Sequence, residues 1–223
     1  MELVVLIILA LVMVVIGYLA ACCYFQGTKP WKVKASAIVP ATKGRVLYLL
    51  LAVLSMAALI AVFCRFYYMD ALLHHIKLLI LVGMIFPMAA VDYRLQKIPN
   101  LFLLIALGFR IVLLTCEFLD DIDNAVSILK DDLLGAAVLG AFFLFLRLIC
   151  RGGIGMGDIK LIMMMGFYQG LLGAFNSVFF SLMVSFFLSV GLLITKKKSR
   201  KDEIALAPSI LLGTVIGIGL SGI

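Results

Sequence analysis

Two carboxylates stand out in a chain that otherwise keeps its acids out of apolar surroundings. Asp92 closes an apolar run in Ala90-Val91-Asp92-Tyr93-Arg94. Asp158 follows a glycine-rich stretch, in Gly152-Gly153-Ile154-Gly155-Met156-Gly157-Asp158-Ile159-Lys160. A carboxylate at the edge of hydrocarbon is costly to keep and by default marks function. Two such groups on one face can share a proton, so that one is an acid and the other a base near neutral pH. That pair suffices to activate water against a peptide carbonyl without a metal or a covalent nucleophile. Each aspartate alone has a structural alternative. Asp92 could be an interfacial carboxylate paired with Arg94 or Lys97, and Asp158 a helix cap sitting in the field of the helix dipole. The glycines before Asp158 weigh toward chemistry, because they remove side chains and admit a close backbone approach.

The elements that must carry these residues follow from composition. The 223 residues are 65% apolar and only 14% charged, and mean hydropathy is strongly positive. A soluble domain is near half apolar and a quarter charged. The balance excludes a disordered chain, a secreted disulfide scaffold and a nucleic-acid-binding domain, and it selects an all-α polytopic membrane protein. The apolar runs predict about eight transmembrane helices, over 3–25, 46–66, 71–91, 100–118, 133–150, 159–169, 172–194 and 204–222. The stretch from Ile159 to Thr195 is too long for one crossing, and Gly166, Gln169, Gly170 and Gly173 offer a turn within it, so the sixth span is expected to be short. We read residues 1–70 as two N-terminal transmembrane helices joined by a basic loop, and 71–223 as a six-helix core.

The net charge of +7 reflects topology. Fifteen of the 19 Lys and Arg residues fall in four loops that eight crossings put on one side, including Lys29, Lys32, Lys34, Lys43 and Arg45 in loop 26–45 and Lys196, Lys197, Lys198, Arg200 and Lys201 near the end. Basic loops face the cytoplasm. Both termini are then outside, with the acidic loop that holds Glu117, Asp120, Asp121, Asp123, Asp131 and Asp132, and both Asp92 and Asp158 lie at the cytoplasmic face. The five cysteines form no C-x-x-C pair and read as apolar filler. Ser177, Ser181, Ser185 and Ser189 recur every four residues and make a small-residue stripe for close helix packing. His74 and His75 fall at the opposite end of their span from Asp92 and read as interfacial.

With Ile98-Pro99-Asn100 downstream of Asp92 and Gly155-Met156-Gly157-Asp158-Ile159-Lys160 around the second acid, the chain resembles the type IV prepilin peptidases, membrane aspartic proteases of the GxGD class related to preflagellin peptidases. The first segment resembles their D-x-R-x-x-x-I-P-N stretch and the second matches their G-x-G-D-x-K motif. The resemblance implies that Asp92 and Asp158 are the catalytic pair, and that Gly155 and Gly157 shape the site. It matches Pro99 and Asn100 to the turn into the next helix and Lys160 to the motif lysine. It also implies an endopeptidase that cleaves the basic leader from prepilin-like precursors at the cytoplasmic face of the bacterial plasma membrane. Membrane lipid surrounds it and no cofactor is needed. Leu206-Ala207-Pro208-Ser209 loosely resembles the segment before the family's last helix and receives no role. Many members carry two C-x-x-C pairs in the first loop, bind zinc there and methylate the new N-terminus. Loop 26–45 has no such pair, so zinc is not expected and N-methyltransferase activity is expected to be missing. The alternative is a small cation-coupled transporter with Asp92 and Asp158 as ion or proton ligands; its sites would lie near the bilayer midplane.

Overall fold

The computed structural model of the protein describes residues 2–26, 43–67, 71–150, 153–195 and 205–221. Among them there is no strand. The chain forms α1 (Glu2–Gln26), α2 (Lys43–Phe66), α3 (Leu72–Leu95), α4 (Asn100–Asp120), α5 (Ile122–Ile149), α6 (Met156–Ile194) and α7 (Ala207–Ser221). The first six are long and apolar enough to cross a membrane, and α7 is a shorter apolar helix. Most of the basic residues of loop 26–45, and those from Lys196 to Lys201, lie outside the described residues.

α6 is two helices. At Gly170 the backbone takes φ 69° and ψ −174°, a conformation essentially reserved for glycine. The side chains on either side show that the direction reverses: Ser177 Oγ donates to Gln169 Oε1 at 2.6 Å, a contact that an unbroken helix would stretch beyond reach at ~1.5 Å per residue. Residues 156–169 run antiparallel to α5, with Gly140 against Met163 near one end and Gly135 against Gly166 and Gly170 near the other. Residues 171–194 run back antiparallel to α7, with Ser181 on Gly213 and Ser177 on Gly217. The predicted short sixth span is realised, and of the serine stripe Ser177 and Ser181 pack closely on α7. Counting α6 as two gives, among the described residues, eight helical segments that alternate in direction.

α3 is the central element. From Leu78 to Ala89 every residue of it is buried, because α1, α2, α4, α6 and α7 surround it. Close approach to α1 is bought with small residues, Gly17 lying against Pro87 and Gly83 against Met13. The other helices bury a stripe and leave the rest to lipid. On α4 the stripe is Phe102, Ala106, Arg110, Leu113 and Glu117, a spacing of three or four that marks one helical face.

The acidic region, expected from the sequence to be a loop, is helical: α4 continues to Asp120 and α5 begins at Ile122. The single linking residue, Asp121, accepts from the N–H groups of Asp123 and Asn124 and so caps α5. Glu117 and Asp132 are therefore not loop acids but buried residues, 7% and 2% exposed.

Candidate functional site

Asp92 lies one turn from the C-terminal end of α3 and is buried. That end is closed by Gln96, whose left-handed φ of 50° turns its N–H onto the Asp92 carbonyl at 2.8 Å. The chain then makes the short Lys97–Pro99 connection. Buried Pro99 stands at the N-cap of α4, with φ already near the value its ring imposes, and Asn100 opens the helix.

Asp158 is the third residue of α6, after the N-cap Gly155. Its half-buried carboxyl folds back over Gly155, whose backbone N–H faces it. A Cβ on Gly155 would lie 2.9 Å from Asp158 Oδ2, so glycine there is what lets the acid reach its own cap. This is the return half of a capping box, made by an aspartate. Gly157 serves a different contact. Its missing Cβ would sit 3.0 Å from Ile98 Cβ, so the Lys97–Pro99 turn presses directly on the start of α6. Lys160 Nζ donates to Asn100 Oδ1 at 3.0 Å and ties the same two elements on the outside. Arg147, from the end of α5, donates to the Ile154 carbonyl and holds the approach to Gly155.

These contacts bring together all seven residues singled out from the sequence, at one end of the bundle. The two carboxyls interact electrostatically across the gap. Sequence reasoning missed a third participant. The Ala207 backbone N–H donates to Asp92 Oδ2 at 3.0 Å, and the amide of Leu206 faces the same carboxylate. Ala207 opens α7, where four N–H groups have no helical partner, and Pro208 removes the next one. Each aspartate thus sits at the positive end of a helix, Asp92 at α7 and Asp158 at α6, where negative charge is favoured. The signal was present in Ala207-Pro208, since proline is favoured in a first helical turn.

Among the described residues no three His, Cys, Asp or Glu side chains converge as metal ligands. An apolar groove of about 610 Å³ opens between α4, α5 and the first half of α6, from Asn100 and Lys160 to Leu133 and Phe167; neither aspartate lines it.

Replacing Ala207 with proline deletes one N–H donor and nothing polar besides. We expect Ala207→Pro to lower thermal stability by about 1–3 kcal/mol, the cost of a buried carboxylate losing a partner. Unfolding of the two proteins in one detergent measures it, and equal stability would show that Asp92 does not depend on α7.

Residues 79–194, more than half of the chain, match the type IV leader peptidase family. The chain belongs to that family. As a leader-peptidase family member it is also similar to the prepilin leader peptidase/N-methyltransferase of Bacillus subtilis (strain 168), at 26% identity over 137 residues. The match covers 61% of this chain and 52% of that relative, so the chain spans about half the length of the curated relative it matches. No solved structure matches it. The family match and the apolar helices together make this a multi-pass membrane protein.

Proposed function

We propose that the protein is a membrane-embedded aspartic endopeptidase that removes the basic leader from prepilin-like precursors at the cytoplasmic face of the bacterial plasma membrane, with Asp92 and Asp158 as catalytic residues. The observation that carries the reading is that these two acids, 66 positions apart in the chain, lie at the same end of the bundle, Asp92 facing the N-terminus of α7 and Asp158 in the first turn of α6. In this mechanism the carboxylate form of one takes a proton from water. The other, protonated, donates to the scissile carbonyl and stabilises the charge that develops there. The amides of Leu206 and Ala207 aimed at Asp92 suit it to the carboxylate role, and leave Asp158 as the proton donor. Gly155 and Gly157 keep the path to Asp158 clear of side chains. Lys160, Asn100 and Pro99 hold the turn between α3 and α4 against the start of α6, where Asp158 lies.

Placement at the cytoplasmic face is supported by charge. Arg45, Arg94, Lys97, Arg147 and Lys160 cluster at the same end as the two acids, and Asp120, Asp121 and Asp123 lie at the other. We read α1 and α2 as an N-terminal pair and α3 to α7 as the peptidase core. Methyl transfer is not part of this reading, since loop 26–45 holds no C-x-x-C pair. Transport is disfavoured by depth: its ligands belong near the midplane, and these acids are within a turn or so of helix ends.

Co-expression with a prepilin-like precursor tests the assignment. Conversion to the mature size, with the freed leader identified by mass, supports it. Precursor that stays full length beside correctly inserted protein refutes it.

A further inference from the structure

The far end of the bundle holds a cluster of charges that the proposed chemistry does not use. Arg110 on α4 is fully buried. Its guanidinium donates to Glu117 Oε1 at 3.2 Å and Oε2 at 3.0 Å, to Asp132 Oδ2 on α5, and through Nε to the Phe167 carbonyl at 3.0 Å. Lys77 of α3 completes the group, 3.7 Å from Asp132 Oδ1. Two cations and two anions therefore balance within apolar surroundings.

The bond to Phe167 is the informative one. In a continuous helix the Phe167 carbonyl would accept from the Leu171 N–H, but the break at Gly170 separates them. Leu171 N–H goes instead to Asp131 Oδ1, at 3.4 Å. That leaves a carbonyl at the end of a helix, inside the bundle, where an unsatisfied group is expensive. Arg110 satisfies it and sets a positive charge on the negative end of that helix dipole. One residue on, Tyr168 Oη donates to the Ala106 carbonyl of α4, which adds a second tie at the same level. The helix held in this way, residues 156–169, is the one whose opposite end carries Asp158.

We propose that Arg110 is a positioning residue: by capping the broken end of this helix it fixes the helix along its axis, and so fixes Asp158 against Asp92. The inference rests on the peptidase reading for its consequence, though not for its geometry. A helix transmits axial displacement along its length, and Phe167 and Asp158 are only about 14 Å apart along it. A misplacement of about 1 Å at a catalytic group costs on the order of 100-fold in rate.

The test uses the full chain with its five cysteines replaced by alanine and Ile98 and Gly157 both replaced by cysteine. The Cβ positions there are 3.0 Å apart, within ~1 Å of the ~3.8 Å that a disulfide prefers. Oxidative closure of this pair reports the height of the helix independently of activity. Into that background go Arg110→Lys, which keeps the charge but loses the fork, and the charge-balanced double variant Arg110→Gln with Glu117→Gln. Both are expected to insert and to close the disulfide about tenfold more slowly, because the two thiols no longer stand level. In the chain without the engineered cysteines, both are expected to lower kcat for precursor cleavage about 100-fold with KM within about twofold. A parental rate of disulfide closure overturns the proposal whatever cleavage does, and failure of both variants to fold overturns it too, by making the cluster a requirement of folding alone. If the parent chain cleaves no precursor, the peptidase reading falls, while the disulfide rates still decide whether Arg110 sets the helix.

Discussion

Asp158→Asn is expected to leave the protein inserted and folded while precursor cleavage falls by at least about 10³-fold, within the range lost when a positioned acid or base is removed. The side chain is nearly isosteric. Its amide oxygen can still accept from the Gly155 N–H, so the first turn of α6 stays capped and the Gly157–Ile98 contact is untouched. What is lost is the proton that the scissile carbonyl must receive. Purified protein, a synthetic precursor peptide and mass detection of the leader give the rate, and thermal unfolding in the same detergent gives the fold. Cleavage above about a tenth of the parental rate would remove Asp158 from the chemistry.

Gly170→Ala is expected to have the largest effect on stability, a loss of about 3–5 kcal/mol. About 1–3 kcal/mol comes from forcing a Cβ into the glycine-only conformation that the reversal requires. The rest comes from the new methyl group, which would collide with the Asp131 carboxylate. Asp131 must then release the Leu171 N–H, an exposed bond worth a further ~0.5–1.5 kcal/mol. Gly108→Ala is the matched control: nothing lies within 4 Å of its Cβ, and alanine there is the better helix former by up to ~1 kcal/mol. Unfolding curves should separate the pair in opposite directions from the parent. A Gly170→Ala protein as stable as the parent would mean that the chain need not turn at that residue.

The residues themselves account for most of the site and for the alternation of helices, for identifiable reasons. Asp92 and Asp158 were visible because isolated acids in apolar runs are rare, and the reversal near Gly170 because no single helix of that length fits a bilayer. The Ala207 contribution was hidden because a backbone amide has no side chain to recognise. The Arg110 cluster was hidden because Lys77, Arg110, Glu117 and Asp132 come from three helices, and Glu117 and Asp132 read as parts of an acidic loop. A face-by-face reading would have found it. Arg110 and Glu117 fall on the same stripe as Phe102, Ala106 and Leu113, and Asp132 repeats the position of Ala125 and Leu139 at intervals of seven on α5. Charges on a buried stripe demand partners. The centrality of α3 was not legible at all, since its apolar run is no more apolar than its neighbours and only packing distinguishes it.

The most direct measurement is the cleavage rate of four purified proteins: the parent, Asp92→Asn, Asp158→Asn and the double variant. Groups that act together in one step are strongly non-additive. If the two aspartates jointly hydrolyse the bond, the three variants should share one residual rate, because removing the second acid takes away nothing that the first loss had left. Losses that multiply in the double variant, or a single variant that cleaves at the parental rate, would contradict a shared site.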